Sequence, residues 1–315
     1  MQDLVEFSRA RIEKGSKSFA LAARLFPADT RESAYMLYAW CRHCDDLVDD
    51  QVLGHARSHD TPSRDAARDI VERLEQQTRA ALAGQPSEPA FEALREVARR
   101  HEIPEAYPLE LIAGFRMDAD GRAYETIEDV LEYCYHVAGV VGVMMAMVMG
   151  VRDPAVLRRA SDLGIAFQLT NIARDVVPDH AAGRVYLPRQ WLDEAGLARD
   201  EMAVPANRGR LFAVVARLLD QAEPYYASSR VGMAHLPFRA AWAVGAASAV
   251  YRDIGTLVRQ RGAEAWDRRA STSPTRKLAG VTAGLSAAIS RRTRADGIDT
   301  PSREGMWTPS SLRAE

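Results

Sequence analysis

The stretch of the chain that decides its fold reads Tyr38-Ala39-Trp40-Cys41-Arg42-His43-Cys44-Asp45-Asp46-Leu47-Val48-Asp49-Asp50. It ends an apolar, helix-forming run and places four carboxylates within six positions. Side chains three and four positions apart share one helix face, which predicts a polar stripe of Tyr38, Arg42, Asp45 and Asp49. Carboxylates four positions apart repel each other, and Mg²⁺ binds such oxygens together with substrate phosphates. The stretch is therefore either a magnesium site on an inner helix face or an acidic helix end in solvent.

Composition narrows the class of protein. The 315 residues are 47% hydrophobic and 27% charged, which is typical of a globular protein of one or two domains. The formal net charge of −2 gives no reason to expect a nucleic-acid partner. The first residues lack the basic start and apolar core of a signal peptide, and three cysteines are too few for a disulfide framework. We therefore expect a cytoplasmic protein.

Hydrophobic residues recur at helical spacing almost throughout the chain, and this pattern predicts an all-α fold. The polar segment 54–63, just after the acidic cluster, is predicted to be a mobile lid. The apolar run 137–150 is too short to span a bilayer and predicts a buried helix. Its small residues Ala138 and Gly142 indicate either tight helix packing or the wall of a channel for a long apolar chain. From Thr293 onward the polar composition predicts a disordered tail.

A second polar stripe lies in the segment 162–179. Four of its members share one helix face, namely Gln168, Asn171, Asp175 and Asp179. Amides and acids on an otherwise apolar helix are costly to bury without partners. Two such acidic stripes on facing helices would hold several Mg²⁺ ions around one diphosphate. A repeated pattern favours the site interpretation of the first stripe over the solvated helix end.

Two other charged regions allow alternative interpretations. Between Tyr251 and Arg294 there are ten basic residues against three acidic ones. This surplus would suit contact with an anionic membrane, and it also suits an ordinary solvated surface. The acidic cluster around Asp118 and Asp120 precedes Gly121 and is interpreted first as a helix C-terminus.

The sequence resembles the squalene/phytoene synthase family from about Ser16 to Lys277. Within that family the sequence is most similar to bacterial phytoene synthases of carotenoid biosynthesis. The resemblance rests on five segments in order: Ser16-Lys17-Ser18-Phe19, Tyr38 to Asp49, Tyr133 to Gly142, Phe167 to Asp175, and Gly183-Arg184-Val185-Tyr186-Leu187-Pro188.

The resemblance implies one isoprenoid-synthase helical domain around a central apolar cavity, over residues 1–292, with the tail at 293–315. It implies head-to-head condensation of two geranylgeranyl diphosphates through prephytoene diphosphate to phytoene. The cofactor would be Mg²⁺, with Mn²⁺ as a substitute, and no NADPH is expected. Partners would include a prenyl diphosphate synthase, a phytoene desaturase and the inner membrane, which the protein would contact peripherally.

Residue roles follow from the same resemblance. The metal ligands would be Asp45, Asp46, Asp49, Asn171, Asp175 and Asp179, with Asp46 in a supporting place. Tyr133 would transfer a proton or stabilise a cation, and Arg174, Asp45 and Asp175 would act in the ionisation step. Groups that bind the diphosphates or orient the substrate would be Ser16, Lys17, Ser18, Arg42, Tyr38, Tyr186 and Tyr251. The prenyl channel would be lined by Phe19, Ala138, Gly142 and Gln168.

One departure from the family pattern concerns Pro178, which stands where many members carry an acid. Proline removes a helical hydrogen bond and disfavours a helical residue before it, so Asp179 is expected on a kinked or terminating turn. Three alternatives stay open: a dehydrosqualene or squalene synthase acting on farnesyl diphosphate, a terpene cyclase, and a non-catalytic helical binding protein. The intact acidic stripes and the segment from Tyr133 to Gly142 argue against the last two.

Overall fold

The protein was analysed as a computed structural model that describes residues 2–48, 51–52, 55–56, 64–290 and 301–313. The side chains of Lys17 and Ser18 lie outside this description, as does Asp49. The predicted lid over residues 54–63 also falls outside it, apart from the backbone of residues 55 and 56. These predictions therefore stay predictions.

Helices form nearly all of the described chain, which confirms the all-α prediction. They are α1 (Gln2–Gly15), α2 (Lys17–Ala23), α3 (Ala28–Val48), α4 (Arg64–Leu82), α5 (Pro89–His101), α6 (Ala106–Ala119), α7 (Ile127–Cys134), α8 (Val140–Val148), α9 (Pro154–Ala181), α10 (Arg189–Glu194), α11 (Arg208–Gly232), α12 (Phe238–Arg261) and α13 (Pro274–Ile289). A π-helix, Tyr135–Gly139, joins α7 to α8. Two short strands, β1 (Gln51–Val52) and β2 (His55–Ala56), pair antiparallel after α3.

Helix α9 is the central element of the bundle. Asp153 caps its first turn by accepting a hydrogen bond from the backbone N–H of Ala155 at 2.8 Å, and Pro154 follows at the first helical position. The helix packs against α8, α11, α12 and the π-helix. It continues through Pro178 to Ala181, so Asp179 lies in its last turn. The second acidic stripe is thus carried on a helix that is held from several sides.

Helices α8 and α9 approach each other through glycines. A methyl group on Gly142 would collide with the carbonyl oxygen of Ala160, which is the tight packing that one interpretation of the small residues predicts. Gly164 lies equally close to the backbone of Ala138 and Gly139. The segment Ile127–Val148 has the length and apolar character of a membrane span, but 61% of its most apolar window is buried inside the bundle. Its apolar residues therefore serve helix packing.

Replacing Gly164 with alanine is expected to destabilise the protein by about 1–3 kcal/mol, because the added methyl has no room between two helices. It would lie 2.6 Å from the carbonyl carbon of Ala138 and 2.7 Å from the Cα atom of Gly139. Gly209→Ala in α11 is the matched control, since nothing lies within 4 Å of its added methyl. Thermal unfolding should show a lower Tm for the first variant and an unchanged or higher Tm for the second. Equal Tm values would contradict the close helix contact.

The C-terminal segment differs from the prediction of disorder. Residues 301–313 lie against the bundle, where Arg303 forms an ion pair of 2.7 Å with Asp162 of α9. Leu312 is 5% exposed. The polar composition predicted disorder because composition does not show long-range ion pairs. Here Arg303 neutralises the carboxylate of Asp162, which the helices bury. The structure therefore corrects the predicted tail for these residues.

Candidate active site

The first acidic wall lies at the end of α3. Arg42 bridges two carboxylates there, with 2.8 Å to an oxygen of Asp45 and 2.8 Å to an oxygen of Asp46. The Asp46 side chain is 9% exposed and that of Asp45 is 39% exposed. Asp46 is therefore the buried partner that fixes the guanidinium, and Asp45 is the more exposed of the two carboxylates.

The second wall lies on α9 and is formed by Asp175 with two arginines. Arg174 Nε donates to both carboxylate oxygens of Asp175 at 3.0 Å, and Arg269 donates to the same oxygens at 3.1 and 3.0 Å. Burial alone would raise the pKa of Asp175, but the hydrogen bonds from these arginines lower it below its usual range. Trp266 holds the segment that carries Arg269, since its Nε1 atom donates to the carbonyl oxygen of Ala173 at 3.1 Å.

Asn171 and Asp179 complete this wall. Asn171 donates from Nδ2 to Gln168 Oε1 at 3.3 Å, while its buried Oδ1 atom accepts no hydrogen bond from any described residue. Buried acceptors without a donor are rare in folded proteins, and a bound ligand or ion is one explanation for them. Burial, together with the neighbouring Asp175 carboxylate, raises the pKa of Asp179 to about 7. The wall therefore presents one buried acceptor oxygen without a donor and one carboxylate that is costly to ionise.

The raised pKa of Asp179 predicts a pH-dependent stability. In the metal-free folded protein Asp179 binds its proton more tightly than in the unfolded chain, so its ionisation costs stability as pH rises from about 4 through 7. Asp179→Asn should therefore raise the free energy of unfolding near pH 8 by on the order of 2 kcal/mol. Denaturant unfolding at pH 8 and pH 5, without divalent ions, measures this free energy. The difference in free energy between the variant and the wild type should be smaller at pH 5. A difference that is independent of pH would refute the raised pKa.

Aromatic rings connect the two walls. Tyr38 of α3 lies beside Phe19 of α2, with ring centroids 6.4 Å apart. Phe19 stacks on Tyr251 of α12 at 5.6 Å, and Tyr251 stacks on Phe167 of α9 at 4.2 Å. Burial raises the pKa of Tyr38 to about 12 and also raises that of Tyr251, so both hydroxyls keep their protons. An apolar, stacked surface therefore runs between Asp45 and Asp175.

A buried tyrosine pair lies against Asp118. Tyr133 donates its hydroxyl hydrogen bond to Asp118 Oδ2 at 3.0 Å, and Tyr186 donates to Oδ1 at 2.8 Å. The two rings stack with centroids 4.7 Å apart. Burial and the Asp118 carboxylate raise the pKa of both hydroxyls well above the usual range. Asp118 also acts electrostatically on Asp179, which places this pair beside the second wall.

The comparisons with known proteins agree with this arrangement. A profile for squalene/phytoene synthase matches residues 12–276. The chain belongs to the squalene/phytoene synthase family. It is 55% identical to the 15-cis-phytoene synthase of Enterobacter agglomerans over 281 residues, which is 89% of this chain and 95% of that protein. It is 52% identical to the 15-cis-phytoene synthase of a Paracoccus species over 311 residues, 98% of each.

Solved structures show the same family. A crystal structure of a dehydrosqualene synthase in complex with ligand superposes with a TM-score of 0.81 at 31% identity, over 92% of this chain and 98% of that chain. The squalene synthase of Alicyclobacillus acidocaldarius has a TM-score of 0.70 at 25% identity, over 82% of this chain and 94% of that one. The helical fold of this squalene/phytoene synthase family member is thus confirmed, and the protein is a prenyltransferase.

The structure brings eight of the predicted residues of this family member into two groups. One contains Phe19, Tyr38, Arg42 and Asp45, and the other contains Gln168, Asn171, Arg174 and Asp175, with Tyr251 between them. Ser16 Oγ caps α2 by accepting from the Phe19 N–H at 3.2 Å. Ala138 of the π-helix and Gly142 of α8 lie against α9.

Sequence reasoning missed two residues of the site. Asp118 lies in the last turn of α6, so the predicted helix end is right, but its carboxylate also holds Tyr133 and Tyr186. Gly114, one turn before Asp118, could have indicated that another segment packs closely on α6. The side chain of Val137 in the π-helix occupies the space beside it. Arg269 was counted only in a basic surplus, and its pairing with Asp175 has no local signature.

The fit of this site to Mg²⁺ can be judged from its donors. Within the described ranges, no three His, Cys, Asp or Glu side chains are grouped closely enough to hold a metal ion. Arginines occupy carboxylate oxygens of Asp175 and Asp45 that a cation could otherwise take. The unpartnered oxygen of Asn171 and the raised pKa of Asp179 both indicate oxygen donors available to a hard cation. The donor set therefore fits Mg²⁺.

Proposed function

We propose that the protein condenses two geranylgeranyl diphosphates head to head, through prephytoene diphosphate, and forms phytoene. The observation that supports this most directly is the pairing of two acidic walls with a buried tyrosine–aspartate group, in a chain 55% identical to a 15-cis-phytoene synthase. The acidic walls suit diphosphates and the aromatic surface between them suits allylic cations. The family relationship makes two prenyl diphosphates the expected substrates.

The arginines of the two walls bind the diphosphates in this proposal. Arg42, Arg174 and Arg269 carry planar cations that match phosphate oxygens with two parallel hydrogen bonds. Asp45, Asn171, Asp175 and Asp179 would hold Mg²⁺, or Mn²⁺ in its place, together with Asp49 and with Asp46 in support. When bound, the cation supplies Lewis-acid neutralisation of the departing pyrophosphate. The chain's own contribution is to orient the carbon–oxygen bond that breaks.

The tyrosine–aspartate group acts on the carbon framework. Because Tyr133 keeps its proton, it serves as a hydrogen-bond donor, and Asp118 fixes the direction of its hydroxyl. The stacked faces of Tyr133 and Tyr186 offer electron-rich surface to an allylic or cyclopropylcarbinyl cation. Asp118 is the carboxylate placed to receive a proton, through a tyrosine hydroxyl, in the last step to phytoene. The buried aromatic surroundings exclude water, which would quench these cations.

The second candidate is a dehydrosqualene synthase that uses farnesyl diphosphate. The superposition on a dehydrosqualene synthase structure favours this candidate. However, the chain is 31% identical to that protein and 55% identical to the phytoene synthase relative. The two reactions differ in prenyl chain length and share the same chemistry at the diphosphate end. NADPH is not expected in either, whereas formation of squalene would require it.

One incubation tests the proposal. Purified protein with Mg²⁺ and no NADPH is given geranylgeranyl diphosphate or farnesyl diphosphate, and the products are identified by mass. We expect phytoene as the main product, loss of turnover with a chelator, and recovery when Mg²⁺ or Mn²⁺ is returned. Dehydrosqualene as the main product would select the second candidate. Absence of any condensation product from either substrate would overturn both.

We also propose that the protein works in the cytoplasm at the surface of the inner membrane. Its substrate and product are both lipids, and a prenyl diphosphate synthase and a phytoene desaturase would supply the one and consume the other. On α13, Leu278 and Ile289 are 64% and 66% exposed, and Arg276 and Lys277 directly precede Leu278. Such a surface suits an anionic membrane. Sedimentation with anionic vesicles tests this, and no binding to them would contradict it.

A further inference from the structure

The buried carboxylate of Asp162 is the starting point. It lies on α9 with a side chain that is 0% exposed, and Arg303 contacts both of its oxygens at 2.7 Å. Ser228 of α11 donates a further short hydrogen bond to it. A buried carboxylate is strongly destabilising once its cation is removed. The C-terminal segment thus supplies the charge that allows α9 and α11 to bury this group.

The contacts of this segment extend well beyond Arg303. We call residues 301–313 the C-terminal strap. Arg303 also donates to Thr308 Oγ1 at 3.1 Å, which ties the strap to itself. At its far end, the backbone oxygen of Leu312 accepts from Arg158 of α9 at 3.1 Å. The strap is therefore held at both ends on the first half of α9.

Between these ends the strap contacts the π-helix. The hydroxyls of Tyr135 and Ser311 form a hydrogen bond of 2.9 Å, and the ring of Trp307 lies 5.9 Å from that of Tyr135. Tyr135 is the first residue of the π-helix and is 1% exposed. The last residue, Gly139, approaches Ser161, next to Asp162, so closely that an added methyl would lie 2.9 Å from its Oγ atom. The first residue of the π-helix thus contacts the strap, and the last contacts the residue that precedes Asp162.

The same turn of chain carries Tyr133. Residues two positions apart point to roughly opposite sides of a helix. Tyr135 contacts the strap, while Tyr133 contacts Asp118 and Tyr186 in the site. Single π-helical turns inside α-helices are frequent at functional sites, where they redirect a few side chains. The site therefore holds the last turn of α7 through Tyr133, and the strap holds the start of the π-helix through Tyr135, two residues later.

We propose that the C-terminal strap positions Tyr133 for reaction, and that Arg303, through its ion pair with Asp162, is the positioning residue. Arg303 touches no reacting group. It orders the strap, the strap orders the π-helix, and the π-helix sets the direction of the Tyr133 hydroxyl. The effect on turnover rests on the proposed function, whereas the effect on the order of the π-helix does not.

Hydrogen exchange and thermal unfolding test the structural part on the full chain without substrate. Arg303→Ala should lower Tm by about 5–10 °C. Exchange should rise about tenfold in residues 133–139 as well as in the strap. Adding Asp162→Asn to the Arg303→Ala variant should recover at least half of the lost Tm. This second change removes the unpaired buried charge but leaves the strap detached. Arg99→Ala, which breaks an exposed pair with Glu96, is the control and should change neither quantity.

The double variant Arg303→Ala with Asp162→Asn then tests positioning by steady-state kinetics. We expect kcat to fall about tenfold or more with KM within about twofold, because diphosphate binding is untouched while the orientation of Tyr133 is lost. Arg303→Lys should recover part of kcat. Faster exchange confined to the strap, or an unchanged kcat, would overturn the proposal. If wild type forms no condensation product while residues 133–139 respond as expected, the proposed function fails and the strap's ordering role stands.

Discussion

Asp175→Asn should lower condensation on the order of 10³-fold in kcat/KM. The substitution keeps the size of the side chain but removes the charge that faces Arg174 and Arg269, and with it the central carboxylate of the second wall. Helix content should stay near that of wild type because α9 is packed on several sides. Product formation from geranylgeranyl diphosphate with Mg²⁺ measures the loss.

A separate readout distinguishes the loss of a metal ligand from the loss of the arginines. In Asp175→Asn both guanidinium groups are freed, so binding of pyrophosphate without Mg²⁺, measured by calorimetry, should be retained or strengthened. The control is Asp220→Asn on α11, an exposed carboxylate paired with Arg259, which should keep full activity. Activity of Asp175→Asn within tenfold of wild type would show that this carboxylate is not part of the reacting site.

Tyr133→Phe is the second large expected effect, a fall in kcat of about 10²-fold with little change in KM. The phenyl ring keeps the stacking with Tyr186, so the variant isolates the hydroxyl and its bond to Asp118. Asp118→Asn should cause a similar fall because the carboxylate fixes that hydroxyl. The two changes together should cost little more than either alone, since they break one shared interaction.

A matched tyrosine serves as the control for that experiment. Tyr226 is also buried, and its hydroxyl hydrogen-bonds to Thr170 at 2.9 Å. Tyr226→Phe should therefore cost some stability, about 1 kcal/mol, without a comparable loss of kcat. Fully additive effects of Tyr133→Phe and Asp118→Asn would mean that the two residues act independently and not as a unit.

Much of the fold follows from local sequence patterns. The Thr126–Asp129 pattern predicts a capping box, and the structure contains it at the start of α7. Helical spacing likewise predicts α9 and both polar stripes, because residues three and four positions apart must share a face. The prediction for Pro178 is confirmed. The helix ends at Ala181, three residues after Pro178, so Asp179 lies on its terminating turn as expected.

The features that escaped prediction depend on contacts between residues far apart in the chain. Arg269 reaches Asp175 only because a loop after α12 is fastened to α9 by Trp266. The polarity of Arg303 suggested disorder, since nothing near it in the sequence shows that Asp162 is buried. Asp118 has an ordinary place at the end of a helix, and its tyrosine partners come from two later segments. Hydrophobic periodicity predicts which residues share a helix face, but it does not predict which helix faces pack against each other.

The arginines that occupy Asp175 have a consequence for how the site fills. Before any ligand arrives they serve as the counter-ions of this carboxylate. In the proposed reaction, binding of a metal–diphosphate complex would resemble an ion exchange: Asp175 would exchange its arginines for the cation, and the released guanidinium groups would bind the diphosphate. Because charges are exchanged and not newly buried, little of the binding energy is lost to desolvation. We therefore expect metal and diphosphate to bind cooperatively, each weakly alone and strongly together.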